Sequence, residues 1–293
     1  MKNIFRGTGV ALVTPFNNNG EIDFESLSKL VNHCIYGGVD FLVALGTTSE
    51  SATLSDSERN AVLSHIVEIN DNRLPILMGV GGNNTSLICS NINSIPKDIK
   101  GLLCVSPYYN KPTQEGLFQH FKLIAESVEI DQILYNVPGR TAVNMSVDVT
   151  SRLSEITNII GIKDATGDLS VIKQLVEKCP KDFLLLTGDD ATAVDFLIAG
   201  GHGGISVTAN IVPKQLQKVY LAAIANHSEL AIDLNIPLLN LHKNLFLEAN
   251  PIPVKWALHM MGKCDNGIRL PLLELSKEFR PTIKKNLEEL KLI

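Results

Sequence analysis

Short apolar runs recur along the chain, separated by stretches with helical spacing. The runs fall at residues 9–14, 41–45, 75–79, 101–105, 132–137, 159–163, 184–188 and 204–207. Each is short and apolar at successive positions, as expected of a parallel strand covered on both faces. Between them, Asp23 precedes a helical pattern running to Tyr36 and stopped by Gly37-Gly38, the arrangement of an N-cap and a C-terminal glycine. Ser55-Asp56 opens a second helix with Glu58 in its first turn, a capping-box spacing. Further helices are predicted over 85–95, 113–128, 146–153, 168–178 and 191–199.

Alternating strands and helices predict a parallel sheet. An open doubly wound sheet commonly carries a glycine fingerprint after its first strand. Here Pro15-Phe16-Asn17-Asn18-Asn19-Gly20 follows instead. Eight strands without that fingerprint favour closure into a (β/α)8 TIM barrel. Beyond Val207 the pattern is helical to Ile293, with breaks near Asn226 and at Asn250-Pro251-Ile252-Pro253. This predicts a barrel over residues 1–225 and a C-terminal helical appendix over 226–293.

Composition agrees with this class. The 293 residues suffice for one barrel of roughly 250 residues plus an appendix. With 45% hydrophobic and 19% charged residues, the chain reads as globular. A net charge of −5 argues against nucleic acid or an anionic membrane as partner. The five cysteines are odd in number and form no CxxC, which points to free thiols in a reducing compartment. The first eight residues hold no apolar signal core, and no apolar run nears the roughly 20 residues of a membrane span. A cytoplasmic protein is expected. The seven histidines show no metal-ligand spacing, so neither a metal nor a cofactor is expected.

Working residues in such barrels lie at the C-terminal ends of the strands. Lys163 ends the apolar run Ile159-Ile160-Gly161-Ile162 and so points to a barrel mouth. Lysine is rarely buried unless paired or used. Burial disfavours an ammonium, and a neutral amine attacks a ketone to form a Schiff base. The protonated imine then acidifies the neighbouring carbon. Tyr135, one strand away, is a candidate proton carrier, although a core tyrosine is also ordinary packing. Thr47-Thr48 and Tyr108-Tyr109 add hydroxyls at neighbouring strand ends. Arg140 offers a fixed positive fork for a carboxylate. The acidic Thr187-Gly188-Asp189-Asp190 disfavours a phosphate site. His202, in the turn Gly200-Gly201-His202 before the last strand, reads as structural.

Four segments carry a resemblance: Gly46-Thr47-Thr48-Ser49-Glu50-Ser51-Ala52-Thr53-Leu54, Tyr108-Tyr109-Asn110-Lys111-Pro112, Tyr135-Asn136-Val137-Pro138-Gly139-Arg140-Thr141 and Gly161-Ile162-Lys163-Asp164-Ala165-Thr166-Gly167. In order and spacing, over the whole chain, they resemble the dihydrodipicolinate synthase family of lysine and diaminopimelate biosynthesis. These are pyruvate-dependent class I aldolases of the N-acetylneuraminate lyase superfamily. The resemblance implies a lyase that condenses pyruvate with L-aspartate 4-semialdehyde. It implies that Lys163 forms the imine with pyruvate and that Tyr135 shuttles protons. Thr47 then links Tyr135 to Tyr109, and Tyr109 comes from a neighbouring subunit. Thr48 holds the pyruvate carboxylate, Arg140 the semialdehyde carboxylate, and Gly188 and Ile205 line the pocket. A homotetramer of two tight dimers is implied.

Two departures stand out. The family commonly has glycine at the position of Ser49, so serine is strained there if the turn needs a positive φ. In lysine-regulated relatives an inter-subunit site uses the positions of Ser51, Ala52, Asp56, Arg59, Asn83, Leu87 and Tyr108. Histidines are typical at Asp56 and Arg59 and a glutamate at Leu87, so lysine inhibition is expected to be weak or absent. The nearest rivals are N-acetylneuraminate lyase and keto-sugar-acid aldolases, which share the lysine and tyrosine. Thr47-Thr48, Tyr109 and Arg140 favour the synthase. A non-catalytic keto-acid sensor would lack Lys163 or Tyr135.

Overall fold

The computed structural model describes residues 4–92 and 95–293. Eight parallel strands close a barrel in chain order: β1 (Gly7–Ala11), β2 (Phe41–Ala44), β3 (Ile76–Val80), β4 (Ile99–Val105), β5 (Gln132–Asn136), β6 (Ile159–Asp164), β7 (Leu184–Thr187) and β8 (Gly203–Ser206). Gly9 of β1 stands opposite Phe41 of β2, and Gly7 opposite Gly203 of β8, so no strand edge is left open. All eight expected strands are present. The first is shifted: it ends at Ala11, not at residue 14, because the chain then turns out to bridge Phe16 with Ile22 and Gly267.

The continuous apolar runs serve two cores. Phe5, Phe41, Val43, Leu77, Ile133 and Leu186 are among the side chains filling the barrel interior. Their neighbours, such as Leu42, Ile76, Leu134 and Leu185, face the surrounding helices. Both faces are therefore dry, as a barrel strand requires.

The helices are α1 (Phe24–Tyr36), α2 (Asp56–Asn70), α3 (Thr85–Asn91), α4 (Gln114–Ser127), α5 (Pro138–Thr141), α6 (Val147–Leu153), α7 (Leu169–Lys178), α8 (Ala193–Ile198), α9 (Pro213–Ile224), α10 (Ser228–Asn235), α11 (Leu239–Asn244), α12 (Ile252–Met260) and α13 (Arg280–Glu289). The caps are those read from the sequence. Asp23 accepts from the Ser26 amide, and Ser55 and Glu58 form a reciprocal capping box. Gly38, at φ +85°, takes the chain out of α1. The expectation for 85–95 extends past α3 over residues 93 and 94, which lie outside the described residues. The one-turn α5 was not expected; it follows directly on β5 and carries Arg140.

One correction concerns the C-terminal region. It is not helical throughout: no helix covers residues 261–279. The backbone at Gly267 instead lies against Phe16 and Asn17, where a Cβ would meet carbonyl oxygens at 2.3 Å. Only glycine permits that approach. α9 packs on β1 and completes the helical ring, and α10 packs on α9. His202 is structural, as expected: its Nδ1 accepts from the Leu185 amide at 3.0 Å.

Candidate active site

The register between β5 and β6 decides which way the site residues point. Gln132 stands opposite Ile159, but Ile133 stands opposite Gly161, so Ile160 is an extra residue. A one-residue slip reverses the facing of everything beyond it. Beyond the slip Tyr135 stands opposite Lys163, and both enter the barrel mouth. Lys163 is 6% exposed, and its Nζ lies 4.2 Å from the centroid of the Tyr135 ring. Among the described residues it forms no ion pair. The adjacent carboxylate of Asp164 is engaged elsewhere, accepting from Asn136 Nδ2 at 3.0 Å and from Thr166 Oγ1 at 2.5 Å. A buried amine without a carboxylate partner is suited to nucleophilic work. The buried thiols are not: burial pushes Cys34 and Cys104 up to about 12, which keeps them protonated.

Lys163 opens into a cavity of about 400 Å³. Thr47, Thr48, Tyr135, Arg140, Gly188 and Ile205 also line it. Every expected pyruvate-pocket residue thus converges on one space. Gly188 is there for room. A Cβ at that position would lie 2.5 Å from Lys163 Cε.

The threonine pair sits on a tight turn after β2. Leu45 has φ 56°, Thr47–Ser49 form a 3-10 turn, Glu50 has φ 52°, and a second 3-10 turn follows over Ser51–Thr53. Ser49 is outside the left-handed region, so its side chain brings no backbone strain. Its Oγ donates to the Gly46 carbonyl at 2.7 Å. Leu45 and Glu50 carry the unusual backbone in its place.

Asn250 joins the two ends of the cavity, a role that sequence reading missed. Its Nδ2 donates to Thr48 Oγ1 at 2.9 Å, and its carbonyl accepts from Arg140 Nη2 at 2.9 Å. The sequence marked this residue only as a helix break. Its partners lie more than a hundred residues away and give no local signal.

A second cavity of about 370 Å³ adjoins the first and shares Thr47, Tyr135, Arg140 and Asn250 with it. Ser51, Ala52, Arg59 and Tyr108 line it, whereas Asp56, Asn83 and Leu87 do not. Asn83 is nearby, with its Nδ2 donating to the Tyr108 carbonyl at 3.3 Å, and Leu87 is exposed. Tyr109 lines neither cavity. It projects from the surface, 88% exposed, at φ 74°. Among the described residues no cluster of three or more His, Cys, Asp or Glu is arranged to hold a metal ion. No helix among them is long and apolar enough to cross a membrane.

Comparison with known proteins gives a consistent answer. A family profile described as the dihydrodipicolinate synthetase family matches residues 4–290. The chain is 53% identical over 289 residues to a 4-hydroxy-tetrahydrodipicolinate synthase of Ruthia magnifica subsp. Calyptogena magnifica, covering 98% of this chain and 97% of the relative. Among solved structures, the chloride-inhibited dihydrodipicolinate synthase of Acinetobacter baumannii, complexed with pyruvate, aligns with a TM-score of 0.96 and 47% identity over 98% of this chain and 99% of that one. The lysine-bound enzyme of Cyanidioschyzon merolae aligns with a TM-score of 0.95 and 32% identity over 100% of both chains. With its barrel, its buried lysine and a profile match from residue 4 to residue 290, the chain belongs to the dihydrodipicolinate synthetase family.

Proposed function

We propose that this chain is a 4-hydroxy-tetrahydrodipicolinate synthase that works through a Schiff base on Lys163. Lys163 Nζ attacks the keto carbon of pyruvate through its lone pair; a proton relayed by Tyr135 lets the carbinol oxygen leave as water, which gives the protonated imine. That imine withdraws electrons from the methyl carbon, which loses a proton to become an enamine. The enamine carbon attacks the aldehyde carbon of L-aspartate 4-semialdehyde and forms the new carbon–carbon bond. The amine of the semialdehyde then adds to the imine carbon and displaces Lys163 Nζ, closing the ring of 4-hydroxy-tetrahydrodipicolinate and freeing the enzyme.

Tyr135 carries protons to and from the imine. Thr47 connects Tyr135 to Tyr109, which is supplied by a neighbouring subunit. Thr48 binds the pyruvate carboxylate, Arg140 binds the semialdehyde carboxylate, and Gly188 and Ile205 shape the pyruvate pocket. The observation that carries this reading is the amine of Lys163, buried in the cavity mouth and 4.2 Å from the Tyr135 ring. The surface position of Tyr109 supports an intersubunit role. We read the assembly as a homotetramer of two tight dimers working in the cytoplasm, and residues 1–225 and 226–293 as its barrel and C-terminal regions.

Lysine acts weakly or not at all on this enzyme. Arg59 lines the second cavity and repels an ammonium ligand, and Leu87, exposed outside that lining, brings no carboxylate toward it. Incubation with pyruvate and borohydride, followed by peptide mass spectrometry, tests the catalytic reading. An adduct on Lys163 is expected; an active protein left unlabelled there overturns it.

A further inference from the structure

Glu50 directly follows the turn that bears Thr47 and Thr48, and it sits between the two 3-10 turns at φ 52°. Such a backbone is uncommon for a residue other than glycine, so its surroundings must hold it. Its amide donates to the Thr47 carbonyl at 3.2 Å, and its own carbonyl accepts from the Thr53 amide at 2.9 Å. Glu50 Oε1 lies 2.5 Å from Lys255 Nζ, and Oε2 accepts from the Arg269 amide at 3.1 Å. The two charged side chains are 1% and 2% exposed.

The surroundings of this pair are built with equal care for charge. Lys255 Nζ lies 4.1 Å from the centroid of the buried Phe16 ring, and the Arg269 guanidinium lies 4.3 Å from the same ring. Arg269 also donates to the Thr53 carbonyl at 2.9 Å and pairs with Glu58 at 2.5 Å. Lys255 belongs to α12, five residues after Asn250. Asn250 Nδ2 binds Thr48 Oγ1. The start of α12 therefore grips the threonine turn at two points, once by hydrogen bond and once by ion pair.

A buried ion pair seldom adds stability over apolar residues of similar volume, because desolvation of both charges offsets their attraction. Stability alone is thus a poor reason for this pair. Glu50 borders the second cavity, yet its carboxylate is taken up by Lys255 and Arg269. We infer that Glu50 and Lys255 are positioning residues, which fix the Thr47–Thr48 turn at the distance from Lys163 that pyruvate requires. The inference rests on the reading of Thr48 as the pyruvate-carboxylate contact.

The test is the double variant Glu50→Gln/Lys255→Met, which removes both charges and leaves neither one buried alone. Its melting temperature is expected within a few degrees of the parent. Its KM for pyruvate is expected to rise about tenfold, as displacement of a binding group by a fraction of an ångström would produce, with the KM for the semialdehyde changed less than about twofold. A folded double variant with an unchanged KM for pyruvate overturns the inference. Should the double variant fail to fold, Glu50→Asp keeps the charge but withdraws the carboxylate by one methylene. The same rise in KM for pyruvate is then expected, and its absence overturns the inference. Borohydride trapping of the parent protein runs alongside. An unlabelled parent sinks the reading of the site itself, whereas a labelled parent with unaltered variant kinetics sinks only the positioning role.

Discussion

Gly188 and Lys163 are in such close contact that a Cβ on the first would lie 2.5 Å from Cε of the second and 2.8 Å from the Cβ of Ala165. Its φ lies outside the left-handed region, so glycine serves here for space and not for backbone freedom. Gly188→Ala must displace the Lys163 side chain and with it the amine proposed to attack the keto carbon. We expect kcat/KM for pyruvate to fall about a hundredfold, the cost of roughly 1 Å of misplacement. Steady-state kinetics, with circular dichroism to confirm the fold, checks this.

Removing the amine itself has a larger effect. Lys163→Ala deletes the proposed nucleophile while leaving the rest of the cavity wall in place. The rate of condensation should drop by at least about a thousandfold, with no borohydride-trapped adduct at any pyruvate concentration. Retention of more than a tenth of the parent rate would contradict the covalent route.

Ser49→Gly asks whether the unusual serine matters. Since Ser49 is not in a left-handed conformation and its Oγ only donates to the Gly46 carbonyl, glycine relieves no strain. The variant should keep its activity within about twofold and lose about 1 kcal/mol or less through the missing hydrogen bond and the freer unfolded chain. Thermal denaturation beside an activity assay decides it.

Acid stability should depend on Glu58. The hydrogen bond from Arg269, with help from the Ser55 amide, holds the Glu58 carboxyl down to about 2, against an ordinary value of 4.5. A lowered folded value means that the stabilisation is complete above the unfolded value near 4.5. It is lost as pH falls from there through about 2. The side chain is 32% exposed, so solvent screening limits the contribution to about 1 kcal/mol. Glu58→Gln should therefore lower stability at neutral pH by about that amount. It should also flatten the acid limb, read as denaturation midpoints at pH 7, 5 and 3.

Lysine titration tests whether this chain departs from lysine-regulated relatives. With Arg59 on the cavity wall and no carboxylate at Leu87, sub-millimolar lysine should leave the condensation rate within about a tenth of its uninhibited value. Half-inhibition in that range would show that the site binds an ammonium in spite of both residues.

The barrel was legible in the sequence because its physics is local. Eight apolar runs, each dry on both faces, and caps such as Asp23, Ser55 and Glu58 are written in neighbouring residues. Lys163 stood out for a similar reason, as a charge continuing an apolar strand. The residues 261–279 were read as helical because their course is set by a distant partner: Gly267 lies against Phe16 across the chain. Likewise, the slip at Ile160 that turns Lys163 toward Tyr135 depends on pairing with β5, and no composition of β6 alone announces it.

Asn250, Glu50 and Lys255 show the same limit at the site. Each acts on a partner far along the chain, and a polar residue's worth when buried depends on whether that partner arrives. Residue types and their periodicity therefore determined the fold class and marked the candidate nucleophile. Closure of the barrel and the packing of α12 against its mouth decided how the cavity is shaped and what holds its threonines, since only folding brings those long-range hydrogen bonds and charges into contact.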